Sequence, residues 1–260
     1  MKSVIYYFSG TGNNLAIAKQ LAKELGETTV LPMSELVQNK MISDEYEWVG
    51  FTAPSYFSHV PPYVEECMKD VSYNEKQKVF LIAGCGGNRG LAIQDMRKQV
   101  YNSKKEVDLE YMVMLSGSYI LSYGSFPMWY QKFFIKQSYK KIHKMALDIK
   151  NGRKRKPLGK GIFYKTKYEA AVQHSIANYA MIGKQFKVSD KCSACEACLK
   201  ICPVGNISLT DGKITFGDHC NQCMGCIQWC QNHAIDYQGK AAKRKRYHHL
   251  DVKRQDLFQR

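Results

Sequence analysis

The chain is poor in several features that would each have fixed its class. No apolar run approaches the roughly 18 uncharged residues that a membrane helix needs. After Met1-Lys2 the apolar stretch lasts about five residues before Ser9-Gly10 ends it, so no secretory signal is legible. A soluble, cytoplasmic protein without membrane insertion is expected. A P-loop lysine does not follow Gly10 or Gly12, and Leu15 stands where a dinucleotide fingerprint needs a small third residue. No DNA- or RNA-reading motif occurs, and no general acid stands out. Acidic residues are scarce, 23 against 38 basic.

What is present is a 260-residue chain, 45% hydrophobic, with 17 Tyr and 11 Phe. It suits one large domain or two smaller ones and can bury a sizeable core. The formal charge of +15 is localised. Lys150 to Lys167 holds eight basic residues and no acidic one, and Lys240 to Arg260 holds eight basic and two acidic. These runs read either as a solvated linker and tail or as surfaces for an acidic protein, anionic lipid or nucleic acid.

The first 120 residues alternate strand and helix signals. Val4–Phe8, Glu47–Ala53, Lys78–Ala83 and Leu109–Leu115 read as strands; Asn13–Leu25, Pro61–Asp70 and Gly90–Tyr101 read as helices. This is the signature of a doubly wound parallel α/β sheet. A long helix is expected over Pro127–Lys150, with Ile135, Tyr139, Ile142, Ala146 and Ile149 as its packing stripe. The predicted organisation is a first domain over 1–150, a basic linker and bridging helix (Tyr168–Lys184) over 151–185, a cysteine-rich domain over 186–240 and a basic tail over 241–260.

Eight of the ten cysteines lie between Cys192 and Cys230; Cys67 and Cys85 stand apart, and Cys67 reads as core. Without an export signal, such a block points to metal rather than disulfides. CSACEACLKICP from Cys192 and CNQCMGCIQWCQ from Cys220 share the spacing C-x2-C-x2-C-x3-C. Three thiolates of each run can grip three corners of an iron–sulfur cube while the fourth ligates the other cluster. The assignment is crossed: Cys192, Cys195, Cys198 and Cys230 for one cluster, Cys220, Cys223, Cys226 and Cys202 for the other. Structural zinc also uses C-x2-C pairs, but the third cysteine three residues on has no role there. The stretch resembles the bacterial two-cluster [4Fe–4S] ferredoxins, with Ile207 and Ile235 expected to cover the clusters. Gln231 replaces the second proline of that pattern.

Ser9-Gly10-Thr11-Gly12-Asn13-Asn14 is a loop of hydroxyls and amides at a helix N-terminus, suited to a terminal phosphate dianion. It is similar to the FMN-phosphate loop of flavodoxins, with Asn14 in place of the usual Thr. That resemblance implies a five-stranded sheet of order 2-1-3-4-5 and a flavin across the ends of the first, third and fourth strands. The segments there are Pro54-Ser55-Tyr56-Phe57, with Tyr56 to stack on the ring and Phe57 in reserve, and Gly84-Cys85-Gly86-Gly87-Asn88-Arg89-Gly90, whose backbone would bond the ring edge. His59 reads as an exposed loop residue.

Together the two halves resemble the ferredoxin–flavodoxin fusion proteins of anaerobic bacteria and archaea: a flavodoxin-like α/β domain followed by a small α+β two-cluster ferredoxin domain. The resemblance implies FMN, two [4Fe–4S] clusters and electron transfer between one-electron and two-electron carriers. Each cluster would remove roughly two charges, leaving the protein basic and pointing to acidic redox partners. Two alternatives remain: an oxidoreductase with a small-molecule pocket roofed by Tyr119-Ile120-Leu121, and a redox sensor that binds a polyanion through its basic segments.

Overall fold

The computed structural model describes residues 1–87, 90–159 and 179–258. Their contacts form two units. The first comprises Met1–Phe8, Asn14–Ser116 and the described part of Met128–Lys165; the second comprises Ser9–Asn13, Gly117–Pro127 and the described part of Thr166–Arg260.

The first unit is built on five parallel strands, β1 (Ser3–Tyr7), β2 (Thr28–Pro32), β3 (Trp48–Pro54), β4 (Lys78–Cys85) and β5 (Leu109–Met114), in the order β2-β1-β3-β4-β5. This is the flavodoxin-like order, in which β1 and β3 part at the topological switch point. Residues of β1 and β3 are buried throughout and those of β4 nearly so, which is why their sequences are continuous apolar runs. The edge strand β2, TTVLP, is half-exposed; its short mixed sequence gives no strand signal, and it was not among the strands read from the sequence.

Helices α1 (Asn13–Leu25), α2 (Glu35–Gln38), α3 (Pro62–Met68), α4 (Ala92–Asn102) and α5 (Met128–Lys150) complete this part of the chain. The predicted stripe of α5 is buried at Ile135, Ile142, Ala146 and Ile149, with Tyr139 partly covered.

Residues 151–159 are exposed apart from Leu158, yet they are tied down at several points. The amide of Leu158 donates to Glu110 Oε2 at 2.6 Å, and Arg97 Nη2 donates to the Leu158 carbonyl at 2.8 Å. The Arg97 guanidinium also grips both oxygens of Glu110, whose side chain is 4% exposed. Arg153 and Arg155 both reach the buried Asp148 carboxylate, which accepts a further bond from the Tyr111 hydroxyl at 2.9 Å. The basic residues are thus spent partly on buried carboxylates that composition alone does not reveal.

The second unit has two small antiparallel pairs: β6 (Phe186–Val188) with β9 (Ile235–Tyr237), and β7 (Ile207–Thr210) with β8 (Lys213–Phe216). Two short helices, α6 (Ala197–Ile201) and α7 (Gly225–Gln228), begin inside the two cysteine runs. Its core joins Phe186, Met224, Ile227, Ile235 and Ala241 to Ile120 and Leu121. Ile120 and Leu121 are therefore interior residues of this unit, not the roof of a substrate pocket. Of the predicted bridging helix, residues 160–178 lie outside the described residues; from Ala180 to Gln185 the chain is a 3-10 turn.

The basic tail is likewise folded in. Ala241, Tyr247, His249, Val252 and Leu257 are all buried, while Lys243 and Lys245 face solvent. Among the described residues, no helix is long and apolar enough to cross a membrane.

Removing the Glu110 charge would leave Arg97 without its partner. Truncating one member of a buried pair typically costs about 3–5 kcal/mol, so Glu110→Gln is expected to lower the unfolding free energy by roughly that amount. Equilibrium urea unfolding beside wild type measures it.

Candidate functional site

The sheet order places the carboxyl ends of β1, β3 and β4 side by side, where a doubly wound sheet binds its ligand. Asn14 is 2% exposed, and its side-chain oxygen accepts the Thr52 hydroxyl of β3 at 3.1 Å while resting against Gly84 of β4. The Asn14 side-chain oxygen thus ties α1 to the strand ends.

After β3, Tyr56-Phe57-Ser58-His59 closes a tight turn with reciprocal backbone bonds between Tyr56 and His59 at 2.8 and 2.9 Å. Phe57 and Ser58 have φ of 49° and 71°, the signature of a type I′ turn, which bulky residues adopt only at a cost. The turn is clamped from both sides. Ser55 N–H donates to the Gly84 carbonyl at 2.8 Å, and the Ser58 carbonyl comes so close to Gly90 that a Cβ there would lie 2.0 Å from it.

His59 is not a free loop residue. Its Nδ1 lies 3.0 Å from Asp95 Oδ2, which also accepts the Val60 amide at 3.1 Å. Tyr56 and Phe57 are partly exposed, Pro54 is buried, and Gly86 and Gly87 are exposed; Asn88 lies outside the described residues. Cys67 and Cys85 are both buried, and burial pushes the Cys67 thiol up to about 12.

The remaining loop residues, Ser9–Asn13, belong to the second unit. Gly10 lies against the backbone of Cys223: a Cβ on it would meet the Cys223 carbonyl oxygen at 2.0 Å. Its own carbonyl accepts the Trp229 indole N–H at 3.0 Å, and the Thr11 carbonyl accepts the His249 amide at 2.9 Å. A planar trans peptide points its C=O and N–H in opposite directions. The N–H groups of Thr11 and Gly12 are therefore turned to the opposite side of the loop, where Gly12 N–H meets Ser9 Oγ at 3.1 Å.

Amides and a hydroxyl gathered at the start of a 13-residue helix form a donor set that fits a phosphate. The side chains of Thr11 and Asn13 are turned elsewhere: Thr11 Oγ1 bonds Ser118 Oγ at 3.2 Å, and Asn13 Oδ1 accepts the Tyr247 hydroxyl at 2.6 Å. Sequence reasoning missed Trp229, Tyr247 and His249, because nothing in the spacing of a tail signals which loop it covers.

The two cysteine runs repeat in backbone as well as sequence. Ala194 and Glu196 take positive φ, as do Gln222 and Met224 at the same offsets in the second run. Asn206 N–H points at Cys202 Sγ and Ala234 N–H at Cys230 Sγ, each at 3.3 Å, again at equal offsets. Cys192, Cys195, Cys198 and Cys230 line one cavity together with Ile235 and Gln231. Burial pushes Cys198 and Cys220 up to about 11 and drives Cys223 and Cys226 higher still. Such thiols stay protonated until a metal offsets the cost of their charge. Ile207 is buried in the same unit.

No family model matches the sequence, and no curated protein matches it. Among solved structures, a flavodoxin from the domain Archaea aligns with 13% identity over 58% of this chain and 99% of its own, with a TM-score of 0.39. Flavodoxin 1 from Bacillus cereus aligns with 13% identity over 58% and 98%, TM-score 0.43. The flavodoxin of Streptococcus pneumoniae TIGR4 aligns with 15% identity over 58% and 99%, TM-score 0.41.

His249 supplies a pH test of the covered loop. Its Nδ1 accepts the Asp251 amide at 3.2 Å, which requires the neutral ring, and burial lowers its pKa to about 4. The unfolded chain takes up this proton near 6.5 while the folded chain does not, so stability is lost as pH falls. The loss is expected to reach about 1.3 kcal/mol between pH 7.5 and 5.5. Urea unfolding at both pH values checks it, the step shrinking by that amount in His249→Gln.

Proposed function

We propose that the protein transfers electrons between two [4Fe–4S] clusters and FMN, coupling one-electron and two-electron carriers. The observation that carries this reading is the approach of Cys223 to Gly10: a segment with the spacing of a cluster-binding run lies against the loop whose N–H groups suit a nucleotide phosphate. The adjoining Trp229, next to Cys230, bonds the same glycine. A chain that served either cofactor alone would have no need of that juncture.

In this reading Cys192, Cys195, Cys198 and Cys230 hold one cluster and Cys202, Cys220, Cys223 and Cys226 the other. Ser9–Asn14 receive the FMN phosphate, while Tyr56, Phe57 and the backbone of residues 84–90 serve the ring. The bound groups supply the redox chemistry. The chain's own residues do the rest. Amides of Ala234 and Asn206 donate to ligand sulfurs, Ile235 shields a cavity lined by four thiols, and the Phe57–Ser58 turn holds its aromatic neighbours in place without rearrangement. A protein this basic would exchange electrons with acidic partner proteins in the cytoplasm.

The test is cofactor content of anaerobically purified protein. About eight iron, eight sulfide and one FMN per chain are expected. Cys195→Ser should forfeit about half of the iron while FMN is retained. Gly10→Ala should lower both FMN and the iron held by the run from Cys220, since its Cβ collides with Cys223. Iron without flavin, even after incubation with FMN, would reduce the protein to a ferredoxin.

A further inference from the structure

The segment after β9 contains a charge, on Arg246, that forms no ion pair among the described residues. Arg246 Nε and Nη1 are buried and have no hydrogen-bond partner. Nη2 reaches only the Ile235 carbonyl, at 3.4 Å. A guanidinium is not deprotonated in proteins, so this is a buried cation, and leaving one uncompensated is strongly unfavourable.

The neighbouring acid is Asp236, but its Oδ1 is taken by the Ala242 amide at 2.6 Å, and no ion pair to Arg246 occurs among the described residues. The carbonyl that Nη2 reaches belongs to Ile235, which lines the cavity of Cys192, Cys195, Cys198 and Cys230. Arg246 is also held in place by its flanks. Tyr247 N–H donates to Gln228 Oε1 at 2.8 Å, the Lys245 carbonyl accepts the Ser125 amide at 2.8 Å, and Arg244 Nη1 donates to the Ile120 carbonyl at 2.7 Å.

Cys192, Cys195, Cys198 and Cys230 are one ligand set under the crossed assignment. We propose that Arg246 is a positioning residue for the cluster that this cavity would hold: its fixed positive charge, set at the Ile235 wall, would favour the form with one more electron. This rests on reading the cysteine block as two [4Fe–4S] clusters. Such a cluster would supply one-electron chemistry with a dithionite-poised mediator dye, and Arg246 would offset the added negative charge. A tail composition that reads as a polyanion-binding patch would then serve, at this residue, an anion held inside the protein.

The experiment compares wild type, Arg246→Gln and Arg246→Lys in anaerobic redox titrations followed by EPR, with iron and sulfide counted on each sample. Arg246→Gln should weaken reduction of one of the two clusters about tenfold, a shift of about 59 mV to more negative potential for a one-electron couple, with the other near wild type. Arg246→Lys should stay near wild type. Unchanged potentials in a fully loaded Arg246→Gln protein would overturn the proposal, as would equal shifts in both variants. If Arg246→Gln fails to take up iron, full loading of Arg246→Lys supports a required charge, and failure of both variants overturns it in favour of a packing role. Wild-type protein lacking iron altogether would instead refute the cluster reading.

Discussion

One close approach, that of Gly10 to the backbone of Cys223, fixes the loop after β1 against the second cysteine run. At this juncture any side chain is excluded, so the glycine answers to a steric demand from the cysteine run before any ligand arrives. The neighbouring carbonyls are spent on Trp229 and His249. Because peptide groups are two-faced, fastening the carbonyls on one side orients the amides on the other. The loop is thus pre-organised by protein contacts, and an arriving anion meets donors that need not be reoriented.

The same economy governs charge. The chain carries far more basic than acidic residues, yet several of the basic ones are committed to specific internal partners: Arg97 to Glu110, Arg153 and Arg155 to Asp148. Two buried carboxylates therefore hold residues 151–159 against β5 and α5. The thiols follow the opposite logic. Burial opposes their ionisation, most strongly at Cys223 and Cys226, so the folded chain by itself resists bearing thiolate charge there.

How much of this could be read from the sequence follows the physics of each signal. Continuous apolar runs located β1, β3, β4 and β5, because strands buried on both faces leave no other pattern. The half-exposed edge strand β2 left none. The cysteine spacing was legible as a repeat, and the structure adds that its left-handed positions repeat too, at Ala194 and Glu196 and again at Gln222 and Met224. Composition showed the charge of the tail and the connector but not their few anchors, Tyr247, His249 and Leu257 in one and Leu158 in the other. His59 looked like a loop residue because its partner, Asp95, is far away in sequence. The fate of Tyr119-Ile120-Leu121 depended on which unit would claim them, a long-range question that local pattern does not address.

The second unit is discontinuous along the chain, and this bears on the order in which the protein can be completed. Asn13 and Tyr247, joined by a hydrogen bond, stand 234 residues apart in the chain. The loop between β1 and α1 finds donors for its carbonyls only once Trp229 and His249 have folded back onto it. Contacts of such sequence separation form late and slowly. The loop after β1 is therefore among the last parts of the described structure to be fixed, although it lies next to one of the first strands in sequence.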